Sequence, residues 1–387
     1  MKTYDWIVIG GGITGAALSY ELAKTGFSVL LLEQHGIPQN ATRYSYGGLA
    51  YWSGTTDLTR QLAAEGISRH RILSEELDTD TQFRELDLLL TISVDSDPEA
   101  VAASYAHFAI PPRLLSVAEA CTLEPLLNQE AIAGALTVKH GHIHPEITTQ
   151  GYTQAFLRHG GVVQIAQVLE LLQAGDTVKG VKTTTETFHS VNTVICAGGF
   201  SRALLKSAGI SVQLYFTHAE LIETPPLDIR LRTLVMPAQV KRFQLEAESI
   251  IDDSLWDEPG LELLPPILDA GAIQFLDGSL RLGQISRVIT DPTTEINPAE
   301  SEVRIRASVG QVLPALENLP GTWHHCLVGF SRDRLPLVGA IPGVEGIHIF
   351  SGFSNPLVIV PPLARRFANW VAGQNDQIIT QLSPTQY

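Results

Sequence analysis

The chain has 387 residues, 44% hydrophobic and 17% charged, a balance that suits a globular enzyme and excludes a disordered or fibrous protein. That length exceeds what one hydrophobic core covers, so two domains are expected. A net charge of −15 argues against nucleic acid and anionic membrane as partners. Three scattered cysteines, Cys121, Cys196 and Cys326, form no CxxC pair and point to a reducing compartment.

The first element is a buried strand from Tyr4 to Ile9, which leaves no room for a secretory apolar region ahead of it. Gly10-Gly11-Gly12-Ile13-Thr14-Gly15 follows and fits G-x-G-x-x-G. A helix carries Ala17, Leu18, Leu22 and Ala23 on one face, with Gly26 just past its end. Val29 to Leu32 forms a second buried strand ending at Glu33. In such a turn Gly10 permits the tight bend and Gly12 the close approach of a pyrophosphate. Gly15 lets helix and strand pack, and the helix start offers free N–H groups to phosphate. Glu33 suits a ribose hydroxyl and repels a 2′-phosphate, which excludes NADP and leaves FAD and NAD open.

Further along, the pattern predicts helices over 56–76, 98–108 and 145–159, the last ended by Gly160-Gly161. Strands are expected at 86–94, 162–166, 170–173, 180–184, 187–191 and 193–197, the last running into Gly198-Gly199. Several strands lie between 213 and 289. A helix over 301–316, strands at 323–330 and 346–350 and a final helix from about Pro361 to Ala372 close the chain. The apolar stretch 346–363 is cut by Gly352, Pro356, Pro361 and Pro362, so no transmembrane segment is expected and a cytoplasmic protein is. With no internal repeat or linker, the two domains must interleave. The fold class is α/β, a discontinuous Rossmann-like dinucleotide domain (1–85, 145–212, 322–387) with a second, mixed β-sheet substrate domain (86–144, 213–321).

Four segments in this order resemble the D-amino-acid oxidase, glycine oxidase and sarcosine oxidase family of FAD enzymes. They are the opening turn with Glu33, then Thr42-Arg43-Tyr44-Ser45-Tyr46-Gly47-Gly48-Leu49, then Thr193-Val194-Ile195-Cys196-Ala197-Gly198-Gly199. The fourth is Gly329-Phe330-Ser331-Arg332-Asp333-Arg334-Leu335-Pro336 with Ser351-Gly352-Phe353 beyond it. The resemblance implies FAD, held by Gly10, Gly12, Ile13, Thr14, Gly15, Glu33 and Gln34, and by Thr42, Arg43, Ser45, Gly47, Gly48 and Leu49. It also implies Val168, Ala197, Gly198, Gly199, Gly329 and Asp333, and the helix start at Gly352, Phe353, Ser354, Asn355 and Pro356, set against the flavin N1–C2=O edge.

The implied activity is oxidation of a small amine or amino acid by hydride transfer from the Cα–N carbon to flavin N5, with O2 or a quinone-type acceptor restoring the flavin. The alternatives are an FAD-dependent 2-hydroxy-acid dehydrogenase and a flavin-binding protein without turnover. The family's carboxylate-anchoring cations fall here on Val328 and near Ile359, so the candidate catalytic cations are Arg281, in the place of the oxygen-activating lysine, and Arg332. Arg334 and Arg43 are further substitutes. Cys326 has the spacing of a cysteine that bonds flavin covalently, against the plainer reading of a small buried hydrophobe, so non-covalent FAD is expected. His140-Gly141-His142-Ile143-His144 is read as a partly exposed turn with His144 toward the active site, and no metal is expected.

Overall fold

A computed structural model describes residues 3–384, so the outermost ends of the expected dinucleotide domain, 1–2 and 385–387, lie outside the described residues. Among the described residues the strands form two sheets of eight and nine. The centre of the first is parallel: Thr3–Ile9 lies between Val29–Glu33 and Thr187–Ile195, and Ile347–Ser351 flanks the latter. Val162–Ile165 extends the other side, and Leu337–Ala340 closes an edge antiparallel. Such strands are buried on both faces and read as unbroken apolar runs, as Val29–Leu32 does with each side chain at 1% exposure or less. The helix Ile13–Lys24 covers one face and ends as expected, with Gly26 at φ +104 beyond the cap.

The second sheet runs in the order Thr322–Ser331, Leu214–Glu223, Leu280–Ile289, Glu262–Gln274, Leu234–Pro237, Arg84–Ser93, Ile132–His142, Gly48–Leu49. Thr322–Ser331, expected in the dinucleotide domain, pairs along its full length with Leu214–Glu223 and so belongs to the second sheet. The 187–191 and 193–197 strands are one, Thr187–Ile195, because the same ladder to Thr3–Ile9 runs through Asn192. The expected 301–316 helix ends at Val312 and continues as a separate short turn, Pro314–Leu316. Short helices at Val117–Leu123 and Arg242–Ser249 were not foreseen. No helix among the described residues is long and apolar enough to cross a membrane.

Two corrections have a clear physical cause. His140 and His142 are no exposed turn but the last inward-facing residues of the strand Ile132–His142, at 5% and 2% exposure. The Trp52 indole N–H donates to His140 Nδ1 at 3.0 Å, which satisfies it inside the core. His144 stands just beyond the strand and caps the helix Pro145–Arg158 through Nδ1. The helix expected to close the chain starts at Pro356, five residues ahead of the expected start, carries Pro361 and Pro362 inside it, and is followed by a further short helix, Gln377–Leu382. Those prolines remove the N–H groups that the carbonyls of Leu357 and Val358 would accept. The helix Asp57–Glu76 compensates: His70 Nε2–H donates to Leu357 O at 2.7 Å, and Gly66 lies so close to Val358 O that a Cβ there would sit at 1.9 Å from it.

Burial holds four histidines neutral, His70, His218 and His348 at about 4 and His140 at about 3, each below its ordinary 6.5. Their unfolded forms bind a proton on falling through pH 6.5 while the folded forms do not, so stability is full above that pH and is lost toward pH 4. At pH 5 each costs about 2 kcal/mol. Melting curves at pH 7 and pH 5 are expected to show a large fall in Tm; equal values would refute the assignment.

Candidate functional site

The glycine turn is fixed by close approach. Gly10 has φ +106 and lies so near Cys196 that a Cβ would stand 2.5 Å from its carbonyl oxygen, and a Cβ on Gly15 would lie 1.8 Å from Gly10 O. The helix then opens at Gly12 with no side-chain cap, so backbone N–H groups of its first turn face outward as donors. Thr42 Oγ1 accepts from Ile13 N–H at 3.1 Å, and Thr14 Oγ1–H donates to Cys196 O at 3.4 Å. Glu33 Oε2 accepts from Gly11 N–H at 2.7 Å, which holds its carboxylate at the mouth of the turn.

A cavity of about 520 Å³ runs along these residues. It is lined by Gly10, Gly12, Thr14, Glu33, Gln34, Thr42, Val168, Ala197, Gly198 and Gly199 of the sequence-predicted set. Its far end reaches Pro292, His325, Cys326 and Leu327, and its flank is the short helix Ser201–Ser207. A second cavity of about 250 Å³ adjoins it across the 33–42 loop and reaches Arg43 and Glu146. The sequence reading singled out Cys326 by its spacing but did not foresee His35, Asn40, Pro292, His325 or Leu327, loop and edge-strand residues without a spacing pattern.

Not every predicted residue lines the larger cavity. Ile13 is buried and Gly15 packs inward, so both build the turn from behind. Gly47, Gly48 and Leu49 form the edge of the second sheet, where Gly48 pairs with His142, and Ser45 Oγ accepts from Gly47 N–H at 3.2 Å. Gly329 brings its strand against Gly198, a Cβ there being 3.2 Å from the Gly198 carbonyl carbon. Asp333 is exposed and holds its own turn, Oδ1 accepting from Leu335 N–H at 3.0 Å. Gly352 turns at φ +79 into buried Phe353, Ser354 Oγ is buried with no hydrogen-bond partner, and Asn355 precedes the Pro356 helix without capping it.

The charged residues gather around Glu223, which the sequence reading missed. Arg43 donates to both its oxygens, at 2.9 and 3.0 Å, and meets Glu146 at 3.0 Å through Nε. Arg281, 1% exposed, donates to Ser45 O and to Glu223 Oε1 at 3.3 Å, with its guanidinium 4.5 Å from the Phe275 ring centre. Burial alone would raise the Glu223 carboxyl, but the Arg43 hydrogen bond and the charges of Arg281 and Arg43 outweigh it and hold it below its ordinary value. Burial pulls Arg281 below its ordinary value. Arg332 stands exposed on the turn after Ser331, and its neighbour Arg334, at φ +64, lies over the Phe243 ring at 4.0 Å. Cys326 is buried beside the cavity, and burial pushes its thiol up to about 12, so it stays protonated at neutral pH. Among the described residues no group of three or more His, Cys, Asp or Glu is placed to hold a metal.

Comparison with known proteins agrees with this geometry. The model of the FAD dependent oxidoreductase family matches residues 5–370. The chain is 25% identical to 4-methylaminobutanoate oxidase (formaldehyde-forming) of Paenarthrobacter nicotinovorans, over 94% of this chain and 43% of that protein. It is 27% identical to mitochondrial sarcosine dehydrogenase of Homo sapiens, over 96% of this chain and 40% of that protein, so it spans less than half the length of both relatives. The crystal structure of glycine oxidase from Geobacillus kaustophilus superposes with a TM-score of 0.82 at 20% identity, covering 100% of both chains, a likeness of fold.

Gly15→Ala tests the turn directly. With its Cβ 1.8 Å from Gly10 O, the helix must move off the strand, and purified protein is expected to lack visible flavin absorbance where the wild type carries it. A variant as yellow as the wild type would show that the close packing is dispensable.

Proposed function

The chain belongs to the family of FAD-dependent oxidoreductases, and from that premise we propose that it oxidises a small amine or amino acid, with O2 or a quinone-type acceptor completing the cycle. FAD, when bound, supplies the hydride acceptor at N5 for the Cα–N carbon of the substrate. The observation that carries the reading is the cavity walled by three of the four sequence segments together, with Glu33, Val168 and Cys326 all in its lining. The residues fit the cofactor: Glu33 would meet the ribose and the uncapped helix start at Gly12 with Thr42 the pyrophosphate, while the Pro356 helix start, which lines neither cavity, would meet the ring. The names of the two relatives, both acting on methylated amines, support an amine substrate. The division into a dinucleotide domain and a substrate domain, and a cytoplasmic setting, belong to the same reading. The three free cysteines support the setting.

Arg281 is the residue we assign to the reacting end of the substrate. It is the buried cation on the second sheet, and its contact with Ser45 O sets it beside the loop that reaches the ring. A fixed positive charge there stabilises negative charge developing on oxygen or a substrate carboxylate. Arg332, exposed on its turn, is the weaker candidate for the same work. The protonated Cys326 thiol supports non-covalent FAD.

Anaerobic mixing with sarcosine, glycine, D-amino acids, methylated amines and 2-hydroxy acids tests the reading. Bleaching of the flavin by an amine or amino acid is expected. Bleaching by hydroxy acids alone would make the protein a hydroxy-acid dehydrogenase, and none at all would make it a flavin-binding protein without turnover. Arg281→Met is expected to keep its FAD and lose about 100-fold in kcat/KM. After acid precipitation all the flavin should appear in the supernatant; colour left in the pellet would mean a covalent link.

A further inference from the structure

The Pro356–Val371 helix is an element of the proposed cofactor site whose backbone is interrupted where it is needed. Its first turn, from Pro356, lies next to a break at Pro361 and Pro362, which deprive the carbonyls of Leu357 and Val358 of their intrahelical donors. The turn is not held at its start either: Asn355 makes no side-chain cap, and Ser354 Oγ is buried without a partner. What holds it comes from the helix Asp57–Glu76, far away in sequence. His70, 1% exposed, reaches Leu357 O at 2.7 Å, and a carbonyl only accepts, so Nε2 carries the proton. His70 Nδ1 is then a bare nitrogen, buried with no hydrogen-bond partner, so the side chain is committed to this one bond. Its ring lies parallel to Phe83, at 6.5 Å and 17°. One turn earlier Gly66 admits Val358 O at a distance that no Cβ would allow.

We propose that His70 is a positioning residue for the cofactor: through Leu357 O it fixes the first turn of the Pro356–Val371 helix, whose free N–H groups face the FAD ring in the function proposed above, on which this inference rests. A helix start presents a partial positive charge only if its N–H groups stay aligned. Without the imidazole donor, the first turn is joined to the rest of the helix by fewer bonds than an ordinary turn, and its alignment loosens. The contact of His70 and Gly66 with the Leu357 and Val358 carbonyls thus sets how strongly the protein favours the more negative, reduced form of its cofactor over the oxidised one.

The test uses the full chain, loaded with FAD and titrated by a chemical reductant with a redox dye, so no substrate is needed. His70→Phe keeps the ring and removes the donor, His70→Gln restores a donor, and Gly66→Ala pushes on Val358 O. For His70→Phe the preference for reduced over oxidised FAD is expected to fall about fivefold, a drop of ~20 mV in midpoint potential at about 30 mV per tenfold for a two-electron couple. Gly66→Ala should shift the same way, and His70→Gln should return to the wild-type value. A folded, FAD-loaded His70→Phe with an unchanged potential, whatever its Tm, would overturn the inference, since a purely structural role moves stability alone. If His70→Phe does not fold, Gly66→Ala decides: an unchanged potential there overturns it equally. Wild-type protein that takes up no FAD would instead sink the cofactor reading itself.

Discussion

Glu223 is a carboxylate that holds two arginines arriving from different parts of the fold. Arg43 comes from the loop that follows the first glycine turn, and Arg281 from the second sheet. Glu223 sits at the end of Leu214–Glu223, the strand that also carries Thr322–Ser331. The network therefore ties the loop beyond Val29–Glu33 to two neighbouring strands of the other sheet, Leu214–Glu223 and Leu280–Ile289. A charge half-withdrawn from water is costly when unpaired, and removing one partner strands the others. The geometry of the loop over 39–46 is thus set from the second sheet, and Thr42, which accepts from the first turn of the opening helix, is set with it.

The parts of the site that were legible in the sequence are those in which local chemistry dictates local shape. The G-x-G-x-x-G turn could be read because each glycine answers a backbone requirement within a few residues, and Gly10 and Gly15 touch one another in the fold. The long second helix could be read from its pattern, and its expected first residue, Thr56, is the one whose side chain caps it. Glu223 could not be read. It closes an apolar run, and its partners lie 180 and 58 residues away. His140 and His142 looked like surface residues because a histidine is inside only when something distant satisfies it, here Trp52 for His140 and the Tyr46 carbonyl for His142.

The double proline misled for an instructive reason. Proline is favoured in the first turn of a helix, so Pro361 reads as a start. The true start is an earlier proline, Pro356, and the later pair is accommodated by a neighbouring helix, where His70 donates to the freed Leu357 carbonyl and Gly66 leaves room for that of Val358. Local propensity was overridden by a tertiary contact, and the cost of that override is concentrated in one histidine and one glycine.

The parallel centre of the first sheet also bears on how the chain comes to be folded. Its neighbouring strands are drawn from residues 3–9, 29–33, 187–195 and 347–351. During synthesis the first two emerge early and wait, with one flank of Thr3–Ile9 open, until nearly half the chain has followed. Thr187–Ile195 then waits in turn for Ile347–Ser351, almost at the end. Pairings of such long reach are slow to close and leave apolar strand edges uncovered meanwhile. The early segments are therefore a stretch of the nascent chain exposed to unwanted pairing, and the parallel centre of the first sheet is completed only when Ile347–Ser351 arrives.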